Sequence, residues 1–284
     1  EVSGMRLGFC TMGYLDYTTL EEAVRRIGKM GYEVVDFWAY SPHLGPDLYS
    51  DAGKRRKVME VVKDSGLEAV ALSVNGGGLA LHINFSHSIE YIRKKSVDYY
   101  IDCVDMAAEM KIPVVNMISG HMIHGTTREQ AWEWNRQCMG EVVKHAVEKG
   151  VMMAIHTLTW CESRVVVTLD DALQMMREID SPNCKVMIDT ADQNITDPNL
   201  SDAVRKAGKN LIYVHCNDND GVGQGDNHLP PGRGSVNWKV FFSALKEIGY
   251  NGDLTVQVHT GYPIDIDAWA IESKEYLEAV LRQL

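Results

Sequence analysis

The chain has 284 residues, of which 45% are hydrophobic and 24% charged, a composition typical of globular proteins that bury a sizeable core. Its formal net charge is −11 and it has no run of lysine and arginine, which argues against nucleic acid as a partner. No apolar stretch approaches the roughly 20 residues of a membrane span, and no signal-peptide pattern opens the chain. We therefore expect a cytoplasmic protein without membrane association.

The cysteines and the N-terminus add two smaller expectations. The 6 cysteines are scattered and form no C-x-x-C pair. In a chain of this size without a signal peptide, free buried thiols are expected in preference to disulfides. Residues 1–4 are expected to be an N-terminal extension or a cloning remnant ahead of a native start at Met5.

Short apolar segments alternate with segments of helical periodicity along the chain, and glycine repeatedly separates a helix from the next strand. Strands are predicted at residues 5–10, 34–38, 67–74, 112–118, 151–156, 186–189, 211–215 and 253–258. Helices are predicted at residues 19–30, 54–65, 89–110, 128–149, 169–179, 199–208, 236–248 and 267–284. Thr18 or Thr19 is the expected N-cap of the first helix, and residues 75–88 are expected to form a long loop.

This alternation of strands and helices predicts an α/β fold of the (β/α)₈ TIM-barrel type, formed as a single domain by residues 5–284. The alternative is a doubly wound open sheet. In both folds, side chains at the carboxyl ends of parallel strands emerge on one face, where the functional site is expected.

Metal-competent side chains end four consecutive predicted strands: His156, Asp189, His215 and Gln257. Consecutive strands are neighbours in a barrel, so these side chains are expected to converge. Nitrogen and oxygen donors together suit a divalent metal ion. We therefore predict a metal site at the barrel mouth, and the alternative for each residue is a hydrogen-bonded role without a ligand.

The segment from residue 161 to residue 257 resembles the xylose-isomerase-like superfamily of sugar isomerases and epimerases, and is closest to the ketose 3-epimerases. The motifs that carry the resemblance are LDDA at 169–172, SPN at 181–183, IDT at 188–190, VH at 214–215, HLPPGRG at 228–234, Trp238 and LKEIGYNG at 245–252. Before residue 161 the resemblance is weaker, with GYEVVD at 31–36 similar to the family's second strand. It implies a barrel that binds Mn²⁺, with Mg²⁺, Co²⁺ or Zn²⁺ as alternatives.

Matched residue by residue, the family's metal ligands fall on His156, Asp189, His215 and Gln257. The family has glutamate at the first and last of these positions, and in the epimerases those glutamates exchange the substrate proton from opposite faces. Gln257 cannot do so, because an amide exchanges no proton near neutral pH. The family's substrate-binding histidine, three residues after the aspartate, is Asp192 here. Fewer carboxylates would leave the ion a stronger Lewis acid.

The candidate proton-transfer residues are His156, if it is not a ligand, and Glu162, with His121 and His124 as further candidates. For Glu162 the alternative is a solvated loop carboxylate. The predicted substrate-binding residues follow strands or lie in the loops after them: Trp38, Trp160, Asp192, Asn217 and Arg233.

Trp132 and Trp134 lie two residues apart on one predicted helix, which indicates packing or an interface in a homo-oligomer instead of sugar stacking.

The leading functional hypothesis is a metal-dependent isomerase or epimerase that converts a sugar or keto-sugar through an enediolate-type intermediate. The first alternative is a lyase, dehydratase or keto-sugar deglycosidase of the C-glycoside type, since elimination needs a metal and only one base. The second is a non-catalytic sugar-binding barrel or partner subunit. An apurinic-site endonuclease is excluded, because the chain has neither a basic face nor the ligands of a multi-zinc centre.

Overall fold

The computed structural model describes residues 4–74, 83–197, 199–222, 227–259 and 265–284. Most of the predicted N-terminal extension, at residues 1–3, and the start of the predicted loop, at residues 75–82, lie outside this description. The strands are β1 (Leu7–Cys10), β2 (Val34–Trp38), β3 (Glu68–Ser73), β4 (Val114–Met117), β5 (Met152–Ile155), β6 (Cys184–Asp189), β7 (Leu211–Cys216) and β8 (Leu254–Val256).

The α-helices of the described residues are α1 (Leu20–Lys29), α2 (Ala52–Asp64), α3 (Glu90–Met110), α4 (Arg128–Lys149), α5 (Leu169–Ile179), α6 (Thr190–Thr196), α7 (Leu200–Ala207), α8 (Trp238–Glu247) and α9 (Ile266–Leu281). Two short 3₁₀-helices add residues Thr11–Tyr14 and Gly208–Asn210. None of the helices in the described ranges is both long and apolar enough to cross a membrane.

The strands are parallel and pair in chain order, and the pairing of β1 with β8 closes the sheet into a barrel. Closure confirms the TIM barrel and excludes the doubly wound open sheet. The large core packs helices against the outside of the barrel, and a second, smaller buried cluster contains Val34, Ala71, Ala154, Met187 and Tyr213.

The helix ends follow the sequence signals closely. Thr19 caps α1 as expected, because its side chain accepts a hydrogen bond from the Glu22 amide. Thr168 forms a capping box with Asp171 at the start of α5. Gly150 ends α4 at φ 71°, a left-handed conformation that glycine adopts without strain.

One helix was not predicted. Between β6 and β7 the sequence indicates a single helix from residue 199, whereas the structure has α6 and α7 there. Helix α6 begins directly after Asp189, whose side chain caps it by accepting from the amides of Ala191 and Asp192. Its sequence TADQNIT has no apolar periodicity, so this helix depends on its cap and its burial.

All six cysteines are free, as predicted, and five are buried. Cys161 is the exception, since its side chain is exposed in the loop after β5.

The packing of α1 against α2 generates a test of stability. A Cβ atom on Gly28 would lie 2.4 Å from the carbonyl oxygen of Ser65, at the end of α2. Gly28→Ala should therefore lower the free energy of unfolding by about 1–3 kcal/mol, because the helices must move apart. Denaturant unfolding of the two proteins measures the difference.

Gly140→Ala is the matched control. A Cβ atom there would meet nothing within 4 Å, and Gly140 lies inside α4. This substitution should raise stability by about 0.5–1 kcal/mol through helix propensity. Equal effects of the two substitutions would contradict the packing argument.

Candidate metal centre

A layer of buried polar side chains lies beside the small apolar cluster of the barrel, two residues further along the strands toward the mouth. Alternate residues of a strand point to the same side of a sheet, so the residues two positions after the apolar cluster share its face. These residues are Asp36, Ser73, His156, Asp189 and His215, and all are buried. The strands thus change from apolar to polar as they reach the mouth.

Three of these residues could bind a metal ion together. One donor atom from each of His156, Asp189 and His215 lies within 4.8 Å of the other two. Asp189 Oδ2 is 3.4 Å from His215 Nδ1 and 3.9 Å from His156 Nε2. The Nδ1 atom of His215 is buried and has no hydrogen-bond partner among the described residues. Two imidazoles and a carboxylate around such an atom fit a divalent ion.

Asp189 is held in place by a helix terminus and an amide. Its Oδ1 atom accepts from the amides of Ala191 and Asp192 at 3.1 and 3.2 Å, and its Oδ2 atom accepts from Asn217 Nδ2 at 3.0 Å. Burial alone would raise the pKa of Asp189, but His228 and the other nearby histidines outweigh it and hold that pKa well below its usual range.

His215 is oriented by Asp36, which lies on β2, a strand that does not neighbour β7. Its Nε2 atom lies 2.8 Å from Asp36 Oδ2, and a carboxylate can only accept, so Nε2 carries the hydrogen and Nδ1 faces Asp189. Ser73 Oγ donates to Asp36, and Asn116 Nδ2 donates to Ser73 Oγ at 2.9 Å. Burial lowers the pKa of His215, but Asp189 and Asp36 outweigh it and raise that pKa to about 9.

A second group of potential ligands shares Asp189 with the first. Donor atoms of Asp189, Asp192 and His228 also lie within 4.8 Å of one another. His228 Nε2 is 3.4 Å from Asp192 Oδ1, and His156 Nε2 is 3.3 Å from Asp192 Oδ2. Asp192 belongs to the second group and lies beside one imidazole of each group, His156 in the first and His228 in the second.

His228 belongs to the loop between β7 and α8, and Asp218 organises this loop. Asp218 Oδ1 accepts from the Val236 amide at 3.0 Å, and Oδ2 accepts from the Gly232 amide at 2.9 Å and Trp238 Nε1 at 3.0 Å. A backbone bridge joins His228 to His259, beyond β8. These contacts fix the position of the His228 backbone at the mouth.

Gln257, the fourth predicted ligand, lies beside this cluster. Its Nε2 atom is 3.2 Å from Met12 Sδ, and its Oε1 atom is 3.0 Å from His228 Nδ1 and 3.3 Å from Asn217 Nδ2. The structure therefore brings all four predicted ligands to one end of the barrel.

The other predicted catalytic and substrate residues are more dispersed. Glu162 is buried after β5, where Oε2 accepts from Thr159 Oγ1 at 3.2 Å. Trp38 is buried against Cys10 and Met12, whereas the side chain of Trp160 is 52% exposed. The roles of these residues stay predictions.

Arg233 and the two helical tryptophans make contacts within the chain. Arg233 Nε is 2.7 Å from Glu272 Oε1, and the guanidinium lies 5.2 Å from the ring centroid of Trp269. These contacts direct it toward α9. Trp132 Nε1 donates to Glu178, and Trp134 stacks under Arg93. Packing thus accounts for both tryptophans, and the oligomer interface stays a prediction.

Asp36 and His228 were not selected from the sequence as site residues. Asp36 is a charged residue inside an otherwise apolar strand, and that was a usable signal. His228 begins the HLPPGRG motif, but it ends no strand and reaches the cluster through the fold of its loop, so strand geometry does not predict its place in the site.

Comparisons with known proteins find sugar epimerases of similar sequence. The chain is 25% identical to fructoselysine 3-epimerase of Shigella flexneri over 278 residues, covering 98% of both chains. It is 26% identical to D-psicose 3-epimerase of Ruminiclostridium cellulolyticum over 242 residues, covering 82% of this chain and 76% of the epimerase.

A solved structure of the IOLI protein with a bound zinc atom superimposes with a TM-score of 0.82 at 17% identity, covering 98% of this chain and 99% of that protein. The family model described as "xylose isomerase-like TIM barrel" matches residues 24–280. On the breadth of that match, the chain belongs to the xylose isomerase-like TIM barrel family.

Proposed function

We propose that this chain is a metal-dependent epimerase or isomerase that acts on a sugar or keto-sugar through an enediolate-type intermediate. The observation that carries the proposal is the convergence of His156, Asp189 and His215 at the mouth of the barrel. Membership of the family and the similarity to two ketose 3-epimerases support sugar chemistry at this site.

A divalent ion, Mn²⁺ by preference and Mg²⁺, Co²⁺ or Zn²⁺ as alternatives, would make the hydrogen on the carbon beside a sugar carbonyl more acidic. The protein residues would bind the ion and hold one another in position. Asp189 is anchored by two backbone amides, and Asp36 holds the ring of His215. The polar layer is buried, so bulk water is excluded around these charges and their interactions are strengthened.

Proton transfer requires a group that titrates, and of the predicted residues His156 and Glu162 are the leading candidates, ahead of His121 and His124. If His156 binds the ion, Glu162 is the base that removes the substrate proton. Gln257 cannot return a proton from the opposite face, because its amide does not titrate. We therefore assign the proton exchange to one carboxylate.

The amide at position 257 also favours a second candidate function. With a single base, abstraction of the proton can be followed by loss of a leaving group, which is the reaction of a lyase, a dehydratase or a keto-sugar deglycosidase. A non-catalytic sugar-binding barrel or partner subunit is the third candidate, and it predicts no turnover.

The remaining predicted roles belong to this proposal. Trp38, Trp160, Asp192, Asn217 and Arg233 are the residues proposed to contact the sugar. Trp160 offers an exposed indole ring for stacking. A cytoplasmic location and a homo-oligomeric assembly are likewise proposed.

The reaction type is tested with D-psicose, fructoselysine and 3-keto-glycosides in deuterium oxide, with products followed by NMR. An epimerase should incorporate one deuteron at the inverted carbon and keep the carbon skeleton, because the proton is exchanged with solvent. A lyase should instead release water or an aglycone. Removal of metal by chelation should abolish turnover, and Mn²⁺ should restore it. Undiminished turnover in protein shown to be metal-free would contradict the proposal.

Glu162→Gln tests the base. Turnover should fall by about 10²–10⁴-fold, because the amide cannot accept the proton, while the metal content stays unchanged. Glu141→Gln, an exposed position on α4, is the control and should retain full activity. A Glu162→Gln protein with normal turnover would assign the proton transfer to another residue.

Asp36→Asn tests the orientation of His215. The affinity for the metal should fall about 10–100-fold, because the carboxylate behind a histidine ligand fixes its ring and raises its basicity. Competition with a chromogenic chelator measures the affinity.

Asp105→Asn is the matched control for this change. Asp105 Oδ1 also lies 2.8 Å from a histidine, His145, but on the helical surface between α3 and α4. The metal affinity of this variant should equal that of the unchanged protein. A loss of the same size in both variants would show that Asp36 has no special role.

A further inference from the structure

The two groups of metal-competent side chains overlap, and their overlap suggests how the site compensates for the amide at position 257. One group is His156, Asp189 and His215, and the other is Asp189, Asp192 and His228. We propose that both groups bind a single divalent ion, that His228 and Asp192 complete its ligand set, and that Gln257 positions His228 without binding the ion. This inference rests on the metal dependence of the proposed function.

The hydrogen bonds of Asn217 determine the role of Gln257. Asn217 Nδ2 has two hydrogens but lies within 3.3 Å of four acceptors, on Asp189, His228 and twice on Gln257. The shortest of these contacts is to His228 Nδ1, at 2.9 Å, but a carboxylate and a backbone carbonyl are the oxygen acceptors, and we assign both hydrogens to the Asp189 carboxylate and the Gln257 backbone carbonyl, each at 3.0 Å. Asn217 then has no hydrogen left for His228 Nδ1.

The hydrogen on His228 Nδ1 is consequently donated to Gln257 Oε1, at 3.0 Å. The reverse orientation of the Gln257 amide would place its oxygen against Met12 Sδ, which has no hydrogen to donate. With Nδ1 protonated, the lone pair of the neutral imidazole is on Nε2, the atom that faces Asp192 Oδ1 at 3.4 Å. Gln257 therefore selects the tautomer of His228 that can bind a metal.

Asp192 connects the two groups into one. Its Oδ2 atom lies 3.3 Å from His156 Nε2, and its Oδ1 atom lies 3.4 Å from His228 Nε2. Asp192 is also the first-turn acidic residue of α6, so the cap by Asp189 fixes its backbone. A single ion bound by these groups would take both carboxylates as ligands.

The charges favour two carboxylate ligands. Asp189 alone would leave a divalent ion with an uncompensated positive charge in a buried site, and an unpaired buried charge is costly. Asp192 is 1% exposed and supplies the missing negative charge. Two carboxylates and three neutral imidazoles as ligands would balance the charge of the ion within its ligand set.

The hydrogen bonds of Asp189 argue for one ion and against two. A carboxylate that bridges two ions uses both of its oxygens, but Oδ1 of Asp189 already accepts from two backbone amides. Only Oδ2 faces the histidines. We therefore expect one ion per chain.

X-ray absorption spectroscopy of the zinc-loaded full chain tests the ligand set independently of activity. The unchanged protein should show three imidazole nitrogens and bind one zinc. His228→Asn should show two and lose more than about 100-fold in affinity, a larger loss than removal of a supporting residue causes. Gln257→Met should keep three imidazoles and lose about 10–100-fold.

His145→Asn, which removes a histidine on α4 away from the site, is the control. It should change neither the number of imidazole ligands nor the affinity for zinc. Two imidazoles in the unchanged protein, two zinc ions per chain, or an unchanged affinity in His228→Asn would overturn the inference. A Gln257→Met loss as large as that of His228→Asn would also overturn it. A protein that binds no zinc would refute both this inference and the metal dependence, whereas three imidazoles without sugar turnover would refute the proposed function alone.

Discussion

The geometry of the candidate site depends on the carboxylate of Asp189, whose two oxygens make different contacts. Asp189 ends β6, and its Oδ1 atom caps α6 while its Oδ2 atom faces His156 and His215. The cap starts a helix at the point where a barrel strand ends, which brings Asp192 back to the mouth one turn later. A single side chain therefore ends the strand, starts the next helix and belongs to the candidate metal site, and its ionised form is stabilised by the surrounding histidines.

Much of this arrangement could be predicted, because it follows from the period of a β-strand. Eight apolar segments separated by helices leave the closed barrel as the economical fold, and consecutive strands then become neighbours. A polar residue at the end of such a segment must point into the mouth or out toward a helix. His156, Asp189 and His215 each lie two residues beyond an apolar residue of the small cluster inside the barrel, so they share its face.

The remaining features have no signature in local sequence. Helix α6 has no apolar periodicity and is stabilised by its cap and its burial, which only the folded chain provides. Asp36 contacts His215 across the barrel, between strands that are not neighbours, so no spacing along the chain relates the two residues. His228 reaches the cluster through a loop whose shape is set by hydrogen bonds to Asp218.

The loop between β7 and α8 supplies part of the candidate site and lies outside the barrel strands. Asp218 holds this loop through the amides of Gly232 and Val236 and through the indole of Trp238, and the side chain of Arg233 ties it to Glu272 on α9. Substitutions between residues 227 and 234 can change the charge and the hydrogen bonds at the barrel mouth while the barrel strands retain their packing. The chemistry of the mouth can therefore be varied through a loop that takes no part in the pairing of the barrel strands.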